Sequence, residues 1–183
     1  MSIRQATQAD IARIMYIEEN SFIRAIQEEK ATFLERLGSF GEGFLLLEDG
    51  GEAVGYLCSE LWRALPDFSA QGNAALALNH SPAKSHAADG TILYISSFAL
   101  LPKRRGRGEG KAFFADSIQR IIHAVDKSRR AKITLLALLV NAEWHAAQRI
   151  YEDAGFQSVA TIAQFFERAD GGLSDGIFMT KHI

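Results

Sequence analysis

The chain has 183 residues, 48% of them hydrophobic, a formal charge of −2 and one cysteine. That length suits one domain with a sizeable core, predicted here to span residues 1–183, and the charge balance argues against a nucleic-acid binder working through bulk electrostatics. No apolar run approaches the roughly 20 residues that span a bilayer, Met1-Ser2-Ile3-Arg4-Gln5 does not read as a signal peptide, and Cys58 alone cannot close an internal disulfide, so a cytoplasmic protein is expected.

In chain order, Ser2 to Ala6 reads as a short strand, and Thr7-Gln8-Ala9-Asp10 as a capping-box-like opening with Asp in the third position. Ile11, Ile14, Met15, Ile17 and Glu18 share one face of the helix that follows, which Asn20-Ser21 weakens. A second helix is predicted over Glu29 to Leu37, with Phe33, Leu34 and Leu37 inward and Gly38 as its cap. Phe44 to Leu47 and Ala53 to Trp62 make a hairpin around Glu48-Asp49-Gly50-Gly51, because Asp-Gly favours positive φ between two apolar runs. Arg63 to Gly90 is a long loop, and loops beyond about 12 to 15 residues in a compact domain tend to be functional or disordered.

Ile92 to Leu101 is β-branched and aromatic enough for a buried strand, and Pro102 closes it because a central strand cannot spare a donor. Phe113, Phe114, Ser117, Ile118, Ile121, Ile122 and Val125 then recur at helical spacing, which puts Arg105-Gly106-Arg107-Gly108-Glu109-Gly110 at a helix N-terminus. Such a loop is an anion-binding address: free N–H groups meet the positive end of the helix dipole, and glycine lets a phosphate approach the backbone. Lys103, Arg104, Arg105 and Arg107 beside those amides suit a ligand with several phosphates. It is not a Walker loop, because Gly110-Lys111-Ala112 lacks a hydroxyl for magnesium, and its glycine spacing does not fit the dinucleotide fingerprint. Ala131 to Val140 reads as strand, Ala142 to Ala154 as helix, and Gly155-Phe156 as its stop; Phe156 to Glu167 and Ser174 to Ile183 close the chain as a hairpin around Ala169-Asp170-Gly171-Gly172.

The Arg105-x-x-Gly108-x-Gly110 loop resembles the acetyl-CoA pyrophosphate site of the GNAT N-acetyltransferases, and Arg149-Ile150-Tyr151-Glu152-Asp153-Ala154-Gly155-Phe156 resembles that family's Leu-Tyr-Glu-x-x-Gly-Phe segment. The resemblance implies an α/β GNAT fold: a mixed, mostly antiparallel sheet splayed between its fourth and fifth strands, with helices on both faces. It implies acetyl-CoA as co-substrate without a metal. The reaction would be direct acetyl transfer to a primary amine, whether a small amine, an amino acid or a protein N-terminus, with neither nucleic acid nor membrane as partner; a homodimer is left open. Arg105, Gly106, Arg107, Gly108, Glu109, Gly110 and Lys111 would hold the cofactor. Main-chain groups of Phe98, Ala99 and Leu100 would polarise the carbonyl, and Tyr151 would protonate the departing thiolate. The loop of residues 63–90 would border the acceptor side of the cleft as a lid.

Two subgroups of that superfamily are similar in different places. The third strand and the His-bearing loop look like the arylalkylamine N-acetyltransferases, but Tyr94 and Ser96 stand where those proteins carry paired histidines. The second half looks like the ribosomal-protein alanine N-acetyltransferases, but Leu139 and Trp144 occupy the positions of their base and their CoA-contacting Asn; Asn141, three residues upstream, could replace the latter.

An alkylammonium of pKa about 10.4 cannot attack a thioester before it loses a proton, so a base or a water chain is needed. Glu60 is the first candidate, as a carboxylate in an otherwise apolar run; Asp89, His86 and His80 of the long loop are the others. Trp62 and Trp144 read as packing residues or acceptor-pocket walls, and no His/Cys/Asp cluster has metal-ligand spacing. Two other functions remain open: an acyl-CoA-binding module that has lost catalysis, and nucleotide binding at the glycine loop.

Overall fold

The computed structural model describes residues 1–68, 74–128 and 132–183. Strands β1 (Ser2–Gln5), β2 (Phe44–Asp49), β3 (Glu52–Trp62), β4 (Ile92–Leu100), β5 (Leu135–Asn141), β6 (Gln157–Glu167) and β7 (Leu173–His182) form one sheet in the order β1-β2-β3-β4-β5-β7-β6. Helices α1 (Ile11–Ser21), α2 (Lys30–Ser39), α3 (Pro82–Ser85), α4 (Glu109–Ser128) and α5 (His145–Asp153) pack around it.

Every neighbouring strand pair is antiparallel except β4 and β5, which run parallel from Ile92 opposite Leu135 to Ile95 opposite Leu138 and then part. Beyond that point Ser97 to Leu100 stay paired with β3, while Leu139 to Asn141 stay paired with β7. The parting has a local cause: Ser97 faces Cys58 and Ile95 faces Ser59, so Ser96 is an extra residue that bends β4. The outcome is the splayed sheet expected of the fourth and fifth strands, with a row of backbone groups on β4 turned to a cleft instead of a neighbour.

Most element boundaries follow from short-range chemistry. The amide and hydroxyl of Thr7 both donate to the Asp10 carboxylate at 2.8 and 2.9 Å, which opens the first helical turn as the capping pattern predicts. The β2–β3 turn is tighter than expected, with only Gly50 and Gly51 between the strands, at φ 60° and 85°, the left-handed pair that a two-residue hairpin needs. Gly155, at φ 90°, ends α5 as expected.

Five expectations are corrected. Gly38 does not cap α2; the helix runs on to Ser39, because Phe40 turns into the core at 3% exposure while its N–H reaches Arg36 O. The buried residues of that helix are Thr32, Phe33 and Arg36; Leu37 packs half-buried against the core as expected, whereas Leu34 does not join it. β5 begins at Leu135, with Ala131 outside the described residues, and α5 begins at His145, because Asn141 O and its side chain organise a turn over residues 142–144 first. The loop of residues 63–90 is not an open lid in its described part. Asn79 Oδ1 accepts from Glu29 N at 2.7 Å and Thr32 Oγ1 at 3.2 Å, Ser81 Oγ donates to Glu35 at 2.8 Å, and Leu61 N donates to His86 Nδ1 at 3.1 Å. The same segment completes a second core, in which Leu76 joins Trp62, Ile92, Tyr94, Leu135, Ala137 and Phe178.

The main core locks the site's supports together. Phe114 is 1% exposed and touches Phe98 of β4, Tyr151 of α5 and Phe156, at ring distances of 5.5, 5.0 and 5.9 Å. Phe114→Ala is expected to cost about 3 to 5 kcal/mol of unfolding free energy, read by denaturant titration, because it removes a buried ring at the meeting of three elements.

Candidate active site

The glycine loop leaves open space at the start of α4. Gly106 and Gly108 have φ of 76° and 77°, and a Cβ built on either would meet no atom within 4 Å, so the space above the loop is open. α4 starts at Glu109, which leaves the first N–H groups of a 20-residue helix facing that space. Arg104 does not reach into it: its guanidinium pairs with Glu109 and Asp49, both at 2.8 Å. Arg105 lines the space, but its Nε donates to Leu100 O at 3.0 Å and its Nη2 to Ser21 O at 3.3 Å, so it also pins the end of β4 to the end of α1.

Two cavities meet in the cleft between β4 and β5. The larger, about 1060 Å³, opens at the glycine loop and is lined by Arg105, Gly106, Gly108, Gly110, Lys111 and Asn141, with Ala99 and Leu100 on its β4 side. The smaller, about 370 Å³, is lined by Glu18, Glu28, Leu76, His80, Tyr94 and Ser96. Phe22, Ile26, Phe98, Trp144, Tyr151 and Glu167 line both. Across their junction Trp144 stands between Phe22 and Phe166, with ring centroids 5.5 and 5.7 Å away.

Tyr151 is fixed at this junction. It is 7% exposed, its ring rests on Phe114, and burial holds its phenol well above its ordinary pKa, hence protonated. Among the described residues its hydroxyl has no hydrogen-bond partner. Asn141 is 3% exposed at the end of β5; its Oδ1 accepts from Glu143 N at 2.8 Å, which aims its amide nitrogen away from that turn. Arg107 and Glu109 belong to the loop but line neither cavity, Glu109 being committed to Arg104.

The candidate bases separate sharply. Asp89 is on the surface, paired with Arg63 at 2.8 Å. His86 is stacked on Phe40 at 5.1 Å and accepts from Leu61 N. Glu60 does not face the cleft: its side chain is 1% exposed and holds Trp62 Nε1 at 3.2 Å, His80 Nε2 at 2.6 Å and Ser85 Oγ, with Arg36 Nε 3.8 Å away. Burial acts to raise its pKa, but the His80 and Ser85 hydrogen bonds and the Arg36 charge outweigh it, so the carboxyl titrates below its ordinary range. His80 lines the smaller cavity, yet its Nδ1 lies 3.2 Å from Ala77 O and its Nε2 against Glu60, so both ring nitrogens face acceptors.

Glu18 went unremarked as a base in the sequence, although a carboxylate on the apolar face of α1 gives the same signal that picked out Glu60. It is 1% exposed and lines the smaller cavity. Burial lifts its pKa to about 7, against the opposing hydrogen bonds from Tyr56 OH and Glu28 N. A carboxyl whose folded pKa lies above its unfolded value of 4.5 adds stability that is full below pH 4.5 and lost as the pH rises through about 7. Glu18→Gln is therefore expected to unfold at higher denaturant than the wild type at pH 8, by up to about 3 kcal/mol, with the gain vanishing near pH 4.

The cleft thus brings together a splayed sheet, a glycine-rich loop at a helix N-terminus and a buried tyrosine where the two cavities join. The chain belongs to the acetyltransferase (GNAT) family, whose model matches residues 11–156. Among solved structures it is similar to the ribosomal-protein-S18-alanine N-acetyltransferase from Escherichia coli, at 19% identity and TM-score 0.68 over 100% of this chain and 93% of that one. It is similar also to the GphF GNAT-like decarboxylase in complex with isobutyryl-CoA, at 16% identity and TM-score 0.76 over 100% and 99% of the two chains. A third is the phosphinothricin acetyltransferase from Sinorhizobium meliloti in complex with acetyl-CoA, at 17% identity and TM-score 0.69 over 100% and 88%. Comparison with the curated proteins returned no match. Among the described residues no group of three or more His, Cys, Asp or Glu is placed to hold a metal ion, and no helix is long and apolar enough to cross a membrane.

Proposed function

We propose that the protein moves an acetyl group from acetyl-CoA to a primary amine by direct attack. The observation that carries the reading is the order of parts along one cleft: a phosphate cradle at Gly106 to Lys111, then the unpaired edge of β4, then Tyr151 where the two cavities join. Bound acetyl-CoA supplies the thioester. Gly108, Gly110 and Lys111 hold the phosphates at the start of α4, and the amide of Asn141 takes a polar group of the cofactor's stem. Main-chain N–H groups along Phe98 to Leu100 take the carbonyl oxygen's growing negative charge without reorganising. Tyr151, protonated and aimed into the junction, returns a proton to sulfur. Glu60 serves this chemistry by holding His80 in the wall of the acceptor chamber, not by touching the amine.

The acceptor is a small amine or a peptide N-terminus entering the smaller cavity, in a cytoplasmic setting. The test is release of free thiol from acetyl-CoA over a panel of primary amines and short peptides, at a pH high enough to keep a fraction of each amine neutral. Turnover of at least one class supports the transferase. Tight acetyl-CoA binding without turnover across the panel would make the protein an acyl-CoA-binding module, the reading that Tyr94, Ser96 and Leu139 in place of familiar bases keeps in play. Displacement of acetyl-CoA by ATP at equal concentration would make the loop a nucleotide site.

A further inference from the structure

Resting on the transferase reading, we infer that Glu18 is the catalytic base, receiving the acceptor's ammonium group in the smaller cavity and taking its proton before the attack on the thioester. The geometry assigns it by three independent observations.

First, Glu18 is a carboxylate in the wall of the acceptor chamber with no cation within ion-pair distance among the described residues. The nearby Arg36 is committed to Glu28, through Nη2 at 2.6 Å and through Nη1, and lies against Glu60. A buried anion without its own counter-ion is costly, and a fold keeps one where an incoming cation completes the pair. Second, its orientation is fixed: Glu28 N donates to Oε1 at 2.8 Å and Tyr56 OH donates to Oε2. Tyr56 OH is in turn 2.9 Å from Ser97 Oγ, and Ser97 lies on the part of β4 that has left β5. The carboxylate is thus anchored to the strand edge where the carbonyl is polarised. Third, the other candidates are spent: Glu60 is enclosed, both His80 nitrogens face acceptors, His86 and Asp89 lie outside the cavity, and burial pushes the Cys58 thiol up to about 12.

The titratable groups facing Glu18 are Tyr56 and Cys58 from β3 and Glu28 and Arg36 from α2 and its approach; His80, Tyr94, Tyr151 and Glu167 line the same chamber. Tyr56, Tyr94, Tyr151 and Cys58 are all held protonated by burial, so the charges that act on Glu18 from this side are those of the Glu28–Arg36 pair, which oppose each other.

The proton balance closes. Glu18 accepts one proton from the ammonium, and the freed nitrogen lone pair forms the N–C bond at the carbonyl carbon. As the C–S bond breaks, the sulfur keeps its electron pair and takes the Tyr151 proton. The nitrogen's second proton restores Tyr151, and Glu18 releases its proton to solvent after product leaves.

The test compares two acceptors of similar size, ethylamine and 2,2,2-trifluoroethylamine, the second being largely neutral at pH 7 and so needing no base. The wild type should show an acidic limb in kcat/KM for ethylamine near pH 7. Glu18→Gln, whose amide oxygen can still accept from Glu28 N while its NH2 group donates to the Tyr56 oxygen, should lower kcat/KM for ethylamine on the order of 10²- to 10⁴-fold and abolish that limb. It should change kcat/KM for trifluoroethylamine only a few-fold and leave acetyl-CoA affinity unaltered. Glu18→Asp should restore part of the ethylamine activity. Equal losses for both amines in a folded Glu18→Gln variant, or a retained acidic limb, would overturn the assignment while leaving the transferase reading intact. A wild type inert to every amine would overturn both.

Discussion

Gly110→Asp is expected to leave the fold intact and abolish acetyl-CoA binding. Gly110 lies in the first turn of α4 with ordinary helical backbone, and a Cβ there would approach only Ile150 Cδ1, at 3.3 Å, and Phe98 Cζ, at 4.0 Å, contacts that small side-chain shifts relieve. An acidic residue in the first turn even favours the helix. Its carboxylate would occupy the open space over the loop, satisfy the free N–H groups proposed to bind phosphate, and repel what charge remains. Gly108→Asp is the less clean variant, because Gly108 has φ 77° and any side chain there adds backbone strain. The measurements are calorimetric titration with acetyl-CoA and thermal unfolding of the same sample. A folded Gly110→Asp protein with wild-type affinity would remove the loop from the site.

Tyr151→Phe is expected to lower turnover on the order of 10²-fold with little change in acetyl-CoA affinity. The ring packs against Phe114 and Phe156 at 5.0 and 6.3 Å, contacts that Phe reproduces, and the hydroxyl has no hydrogen-bond partner among the described residues to leave orphaned. The variant therefore deletes the acid and little else. Steady-state thiol release paired with cofactor titration measures both quantities. An unchanged rate where chemistry is limiting would return Tyr151 to a role in the core alone.

The parts of this molecule that were legible in the sequence are those fixed by neighbours in the chain. The Asp49-Gly50 turn announces a positive φ and Gly155 a helix stop, and both Gly50 and Gly155 adopt the left-handed backbone. The glycine loop could be placed at a helix start because Phe113 to Val125 keeps helical period, and the splay between β4 and β5 followed from the family resemblance that loop carried. What could not be read depends on partners far apart in sequence. Arg36 reads as the solvent side of an amphipathic helix until Glu28 and Glu60 are brought beside it. The loop of residues 63–90 reads as a lid because pegs such as Asn79 to Glu29 and Thr32 span about 50 positions of chain, beyond any local pattern. Glu60 and Glu18 give the same signal, a carboxylate in an apolar run, and sequence alone cannot say which one meets the cavity and which meets a histidine behind it.

In the proposed geometry the cofactor lies along the splayed edge of β4 with its sulfur at the junction of the two cavities. A structure of the protein with acetyl-CoA tests it most directly. The pyrophosphate should lie on the amides of Gly106 to Lys111, the thioester carbonyl should face the main chain of Phe98 to Leu100, and the sulfur should come within about 3 to 3.5 Å of the Tyr151 hydroxyl, with Glu18 across the smaller cavity from the acetyl group. A cofactor whose phosphates avoid that loop, or whose thioester points away from Tyr151, would contradict it.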